Sequence, residues 1–490
     1  MSIHTAIIRR LIKAPTRVAM TDDLRPYKGY ELLIAALHIA RLLDKEGASK
    51  HVALLLPASG ATAFCALGAW WSGRVVVPLN FLLKDEELQY VVDDCETDTI
   101  IASRRLTEHT GFVPRAKRVI YLEGLKFSGF PMPRWPRAAA DDDLAVLLYT
   151  SGTSGRPKGV MLTHRNIMSN VRQCEEGLGL TSSFSFLGVL PQFHSFGFTV
   201  LTILPLVSGA RVRFCAKFVP TQILKLLEEV RPNTFVAIPS MYNALLHAKN
   251  ATPEHFASLK NIVSGGEPLP DAVFDGFMQR FNVRICEGYG LTETSPVTHW
   301  CTPEAFKRPS VGRPLPGVDQ RIVDPETDTP VPVGEEGEIR LKGPNIMKGY
   351  FKLPEETAGA FDKEGYFRTG DFGRIDQDGY LSITGRLKDM LIIGGENVFP
   401  REIEEVLDAH EAVHASAVIG RADDMRGEVP LAFIELNEGA TTDEASIRSW
   451  CRERLAGYKV PKEVRIIDAL PRNPTGKIMR RTLRERVAEE

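Results

Sequence analysis

Tyr149-Thr-Ser-Gly-Thr-Ser-Gly-Arg-Pro-Lys-Gly-Val160 joins flexible backbone, clustered hydroxyls and two cations directly behind an apolar run. Leu144 to Tyr149 reads as a buried strand, and Gly152, Gly155 and Gly159 supply the backbone freedom that a loop wrapped around a ligand requires. Main-chain N–H groups would face the ligand, Thr150, Ser151, Thr153 and Ser154 would add neutral donors, and Arg156 and Lys158 would add charge. Such a set suits a polyphosphate. The spacing departs from Gly-x4-Gly-Lys-Ser/Thr, because Pro157 interrupts and the next helix is predicted only from about Thr163. By itself the stretch points to a nucleotide.

On either side, short apolar runs alternate with helical patterns, which is the pattern of a parallel α/β sheet. Before the cradle these are Val52 to Leu56, Ala61 to Trp71, Val75 to Val77, Asp85 to Asp93 and Thr99 to Ala102, with a proline-rich linker over 126–137. After it, strands are predicted at Phe186 to Leu190, Arg211 to Phe214, Thr234 to Ile238, Asn261 to Val263 and Val283 to Cys286. Helices are predicted at Val200 to Val207, Pro220 to Glu229, Ser240 to Lys249 and Asp271 to Phe281. Between about 311 and 384 the helical period gives way to short Gly/Pro-punctuated strands, a β-rich subdomain. Beyond 385 the alternation resumes over enough chain for a further α/β domain. The expected organisation is a large N-terminal domain of doubly wound α/β subdomains plus the β subdomain over 1–384, a hinge at 385–388 and a small mobile α/β domain over 389–490.

A chain of 490 residues needs more than one core, and a net charge of −2 leaves no electrostatic footprint for nucleic acid. Seven cysteines with no Cys-x-x-C pair argue against a disulfide framework and a structural zinc site, and favour a reducing, cytoplasmic setting. No apolar run reaches membrane-spanning length. Phe196 to Val207, broken by Gly197 and Pro205, reads as a buried helix, with peripheral membrane contact as the alternative.

Five further stretches follow the cradle: Ser264-Gly-Gly-Glu-Pro268, Gly288-Tyr-Gly-Leu-Thr-Glu-Thr-Ser295, Arg368-Thr-Gly-Asp-Phe372, Gly385-Arg-Leu-Lys-Asp389 and Pro471-Arg-Asn-Pro-Thr-Gly-Lys477. In this order, over nearly the whole chain, they resemble the adenylate-forming superfamily of acyl-CoA synthetases, firefly-type luciferases and peptide-synthetase adenylation domains. One departure is Ser154, where the family more often has threonine. The residues themselves suggest compatible roles. Gly265, Gly266 and Tyr289 can hold a flat ring, Asp371 in a Gly-flanked turn can accept ribose hydroxyls, and Arg386 can donate to the sugar or the phosphate. Thr292 offers a hydroxyl to the α-phosphate and Glu293 a hard oxygen to Mg2+. The resemblance adds Glu267, Gly288 and Gly290 to the ATP/AMP contacts.

Lys477 would reach the cradle only on domain closure, bridging carboxylate and α-phosphate as charge builds. The resemblance further implies a pantetheine tunnel at Gly394, Gly395 and Asn397, the two glycines leaving room for a narrow ligand, and a pivot at Lys388 that lets one small domain serve two half-reactions. It places His194 near the substrate carboxylate, to gate the pocket or orient the acid, and Phe196, Val200, Ser240, Gly290, Pro296 and Val297 on the acyl-pocket wall. No carboxylate near His194 pairs with an amino group, so a fatty or other apolar acid is expected. Fatty acyl-CoA and acyl-carrier synthetases are the nearest likeness. The implied activity uses ATP, Mg2+ and CoA to make acyl-AMP, pyrophosphate and then a thioester. An acyl carrier protein is the alternative acceptor, and a non-catalytic acyl-nucleotide-binding protein the alternative class.

Overall fold

The computed structural model describes residues 1–127, 129, 131–151, 156–423, 425–472 and 478–488, Ser151 through its backbone alone. Of the expected site residues, Gly152, Thr153, Ser154, Gly155 and Lys477, with the side chain of Ser151, lie outside the described residues.

Continuous apolar runs need strands covered on both faces. His51–Leu55 and Val75–Pro78 are buried at every position and lie parallel in a seven-stranded sheet with Thr99–Ala102 and Arg118–Tyr121. Leu144–Ser151 joins beside Val75–Pro78 and is then paired antiparallel by Pro157–Thr163, Thr150 standing opposite Lys158. The chain expected to be a loop from Thr150 onward is therefore largely hairpin. Pro157 opens a strand, where its missing N–H costs little. The helix His164–Gly177 begins where expected because Thr163 caps it: its hydroxyl oxygen accepts the Asn166 N–H at 3.1 Å, and Asn166 Oδ1 accepts the Thr163 N–H at 2.9 Å.

A nine-stranded sheet carries the parallel run Val18–Thr21, Arg211–Phe214, Ser185–Gly188, Thr234–Ala237, Asn261–Ser264 and Cys286–Gly290, in that spatial order. The last of these lies later than the expected Val283 to Cys286. Its glycines disguise it in the sequence, and pairing with Val297–Trp300 on its far side carries the strand through them. The apolar stretch after Ser195 is buried, as expected, but begins earlier than Val200, as the π-helical Phe196–Ile203 followed by Leu204–Ser208.

Thr329–Pro330, Asp319–Asp324, Gly337–Lys342, Phe367–Ile375 and Leu381–Arg386 form an antiparallel sheet whose inner residues Ile339, Leu341, Phe367 and Leu381 belong to the same core as the large sheets. Phe367–Ile375 corrects the expectation that Asp371 sits in a turn. The residue lies within a strand that the glycines conceal, with Asp371, Phe372 and Gly373 buried in succession. A separate core starts at Leu391 and Ile393 and continues through Ile403, Val418 and Ile434, in a small sheet built on the long hairpin Val413–Asp423 and Gly427–Leu436. Among the described residues no helix is long and apolar enough to cross a membrane. All seven cysteines are buried free thiols.

Beside that small core Asp408 accepts the Ser416 hydroxyl at 2.7 Å, and burial pushes its carboxyl up to about 7. The folded chain then binds this proton more tightly than the unfolded chain, so the residue's contribution to stability falls as pH rises from about 4 to about 7. Asp408→Asn keeps the acceptor and removes the charge. It is expected to raise the melting temperature at about pH 8 more than at about pH 5; equal shifts at both would disprove this account.

Candidate active site

Open parallel sheets bind ligands beyond the carboxyl ends of their strands. Here 191–197 follows Ser185–Gly188, 238–240 follows Thr234–Ala237, 265–268 follows Asn261–Ser264, and 291–296 follows Cys286–Gly290. The loops touch one another. The Ser195 and Thr292 hydroxyls lie 3.2 Å apart, and a Cβ built on Gly265 would meet the Phe196 ring at 3.0 Å.

Asp371 is buried against the same place. Arg386 Nε lies 2.6 Å from one carboxylate oxygen and the Tyr289 hydroxyl donates to the other at 2.7 Å. The neighbouring Asp371 charge holds Arg386 more firmly protonated than usual, and burial, with Asp371 beside it, pushes the Tyr289 phenol well up. Tyr289, Asp371 and Arg386 thus form one hydrogen-bonded group. Four residues along, Glu293 accepts the Tyr350 hydroxyl at 3.0 Å, and burial pushes its carboxyl above the ordinary range. Lys158 Nζ lies 5.6 Å from the centre of the same Tyr350 ring, because Gly349–Tyr350 pairs with the cradle strand at Met161 and Val160. The segment from Tyr289 to Glu293 therefore joins a carboxylate–guanidinium group at one end to Glu293 at the other, whose partner Tyr350 lies beside Lys158.

Of the expected acyl-pocket residues, His194 is exposed, with its Nδ1 receiving the Phe196 N–H at 3.5 Å, while Phe196 and Ser240 are half-buried. Val200, Pro296 and Val297 are buried. Gly290 is required for space, since a Cβ there would lie 1.8 Å from the Pro296 carbonyl oxygen. Gly266 lies in the loop beside Gly265, Gly288 lies within the strand beside Tyr289, and Glu267 is half-buried. Arg480, eight residues past the described Arg472, grips Glu404 through three hydrogen bonds of 2.6 to 3.1 Å; against the cost of burial, Glu404, Asp389 and Glu267 keep it charged.

Lys388 is exposed in the single turn Leu387–Asp389 that leads into the small domain. Beyond it, Leu391–Ile393 and Glu396–Val398 form a hairpin with Ile393 opposite Glu396, and Asn397 is exposed on its second strand. Gly394 and Gly395 have a second reason to be glycine besides the room they leave. Their φ values are 61° and 90°, and a Cβ on either would meet nothing within 4 Å. Two successive positive φ angles make the tight turn that the strand twist prefers, so backbone conformation also demands glycine.

The family model of AMP-binding enzymes matches residues 9–351, and that of the AMP-binding enzyme C-terminal domain matches 402–477. The chain is an AMP-binding enzyme. A long-chain-fatty-acid–CoA ligase of Bacillus subtilis is 34% identical over 97% of this chain and 92% of its own, and a feruloyl-CoA synthase of Amycolatopsis is 35% identical over 85% and 84%. Among solved structures, ATP-bound MatB from Rhodopseudomonas palustris superposes with a TM-score of 0.90 at 32% identity, covering 99% of each chain. The mixed α/β architecture of this AMP-binding enzyme, a large N-terminal and a small C-terminal domain, is the one those enzymes share.

Two contacts of the enzyme escaped sequence reasoning. Ser195 lies within the quoted 191–197 run, where its neighbour His194 drew the attention. Tyr350 had no local signal, since its place beside Glu293 depends on pairing with a strand 190 residues earlier.

Proposed function

We propose that this AMP-binding enzyme is an acid–thiol ligase that joins a carboxylic acid to ATP as acyl-AMP, releasing pyrophosphate, and then passes the acyl group to CoA. The observation that supports it is the Tyr289–Glu293 segment. A sugar-binding carboxylate and a phosphate-side cation stand at its two ends, with the Thr292 hydroxyl between them. Asp371 and Arg386 hold the ribose, Gly265, Gly266 and Tyr289 border the adenine, and Thr150 and Lys158 hold the phosphates together with Ser151, Gly152, Thr153, Ser154 and Gly155. Thr292 donates to the α-phosphate. Phe196 and its apolar neighbours favour a fatty or aryl acid, in keeping with the relatives named above, and His194 stands at the mouth to orient its carboxylate.

Mg2+ fits the residues present. Glu293 is a half-buried carboxylate with one neutral donor on it, and no cluster of three or more His, Cys, Asp or Glu side chains suited to a metal occurs among the described residues. One protein carboxylate completed by substrate phosphates and water is how Mg2+ is commonly held. When bound it would neutralise phosphate charge. Glu293 must lose its proton to ligate, and burial raises its pKa. Apparent Mg2+ affinity is therefore expected to rise with pH across a window above the ordinary carboxylate range, and Glu293→Gln to flatten that rise. Mg2+ titrations of pyrophosphate release at several pH values measure it; an unchanged slope in the variant would move the metal elsewhere.

Residues 389–490 turn about Lys388 between the two half-reactions, on this reading, and carry the 394–397 hairpin to the pantetheine. Because the glycines serve the turn, the informative variant is Gly394→Asn, whose residue tolerates φ near 61°. It is expected to keep pyrophosphate release and lose CoA thioester. The direct test of the function supplies ATP, Mg2+, CoA and a panel of fatty and aryl acids. AMP, pyrophosphate and acyl-CoA are the expected products. ADP would indicate a kinase, and thioester formed only on carrier-protein pantetheine would change the acceptor.

A further inference from the structure

Arg340, on the strand Gly337–Lys342, is 0% exposed, and a buried charge survives only when paired. Its Nε lies 3.0 Å from Glu338 Oε2, Nη1 3.1 Å from Asp362 Oδ2 and Nη2 2.5 Å from Asp328 Oδ1. Glu338, also buried, spends its other oxygen outside this cluster: Oε1 accepts the Gly370 N–H at 3.2 Å. No role proposed above uses either residue.

The pairing of the two strands explains why that N–H is available. Glu338 stands opposite Phe372 and Arg340 opposite Arg368, so Ile339 alone faces Thr369, Gly370 and Asp371. Such a bulge breaks the ladder and re-aims a side chain, and its orphaned main-chain groups need other partners. They have them. The Thr369 hydroxyl donates to the Ile339 carbonyl at 2.6 Å and accepts the Asp371 N–H at 3.0 Å, Gly370 takes a φ of 67°, and its N–H goes to Glu338. The residue delivered by the bulge is Asp371, with Tyr289 and Arg386 on its two oxygens.

We infer that Glu338 is a positioning residue for nucleotide binding: aligned by Arg340, it holds the Gly370 N–H and so maintains the bulge that aims Asp371 at the ribose. The inference rests on the ribose reading of Asp371. A buried ion pair contributes little net stability compared with apolar packing, so geometric control is what this one adds.

The test compares kcat/KM for acid activation with ATP and with 2′,3′-dideoxy-ATP, using the full chain. Wild type is expected to prefer ATP about tenfold or more, the scale of hydrogen bonds to a charged group. Glu338→Ala is expected to bring that preference to within about threefold while leaving the dideoxy value and the KM for the acid unchanged. Glu338→Gln, a weaker neutral acceptor, should fall between the two. It decides by the same ratio should the alanine variant fail to fold. A folded variant that keeps the wild-type preference, or that loses equally with both nucleotides, overturns the inference alone. A wild type indifferent to the hydroxyls overturns the Asp371 assignment and the inference with it.

Discussion

Lys477→Ala is expected to lower acyl-adenylate formation by about 10²-fold or more, the scale of losing one preorganised charge partner in a transition state. Thioester formation from supplied acyl-adenylate should largely survive. The difference between the two steps follows from charge. Negative charge accumulates between the acid carboxylate and the α-phosphate only in the first step, and a cation that meets it there stabilises the transition state more than bound substrate. The main effect should therefore appear in kcat rather than in the KM for ATP. Single-turnover measurement of each half-reaction settles the matter; equal losses in both would remove Lys477 from its proposed role.

Asp371→Asn should weaken ATP binding by roughly ten- to a hundredfold, since hydrogen bonds to a charged group are worth about 1.5 to 3 kcal/mol. Asparagine keeps the shape and one acceptor oxygen but cannot accept on both sides. It also leaves Arg386 without its counter-charge. Arg386 is 37% exposed, so water can solvate the released guanidinium and the fold should survive. Calorimetric ATP affinity on a variant with an unshifted melting curve is the measurement. Unchanged affinity in a folded variant would place the ribose elsewhere.

The sequence by itself determined the class and the chemistry. Six motifs in order, continuous apolar runs between helical patterns, and a cradle with two cations are local properties of the chain, as is the Thr163 cap that starts the next helix on schedule. Tertiary structure decided what depends on strand pairing. The Gly288–Gly290 stretch falls outside the expected strand and Thr369–Asp371 reads as a turn because glycine and short polar residues carry no strand signal, yet hydrogen bonds from neighbouring strands hold both in sheets. Gly394 and Gly395 read as missing bulk, where only the backbone angles of the formed hairpin show that glycine is needed for the turn. Tyr350 beside Glu293, Ser195 beside Thr292, and Glu338 on the Gly370 N–H join residues from 32 to 97 positions apart along the chain. Side-chain spacing along a chain reports only near neighbours, and such contacts exist once burial and ladder pairing have brought the strands together.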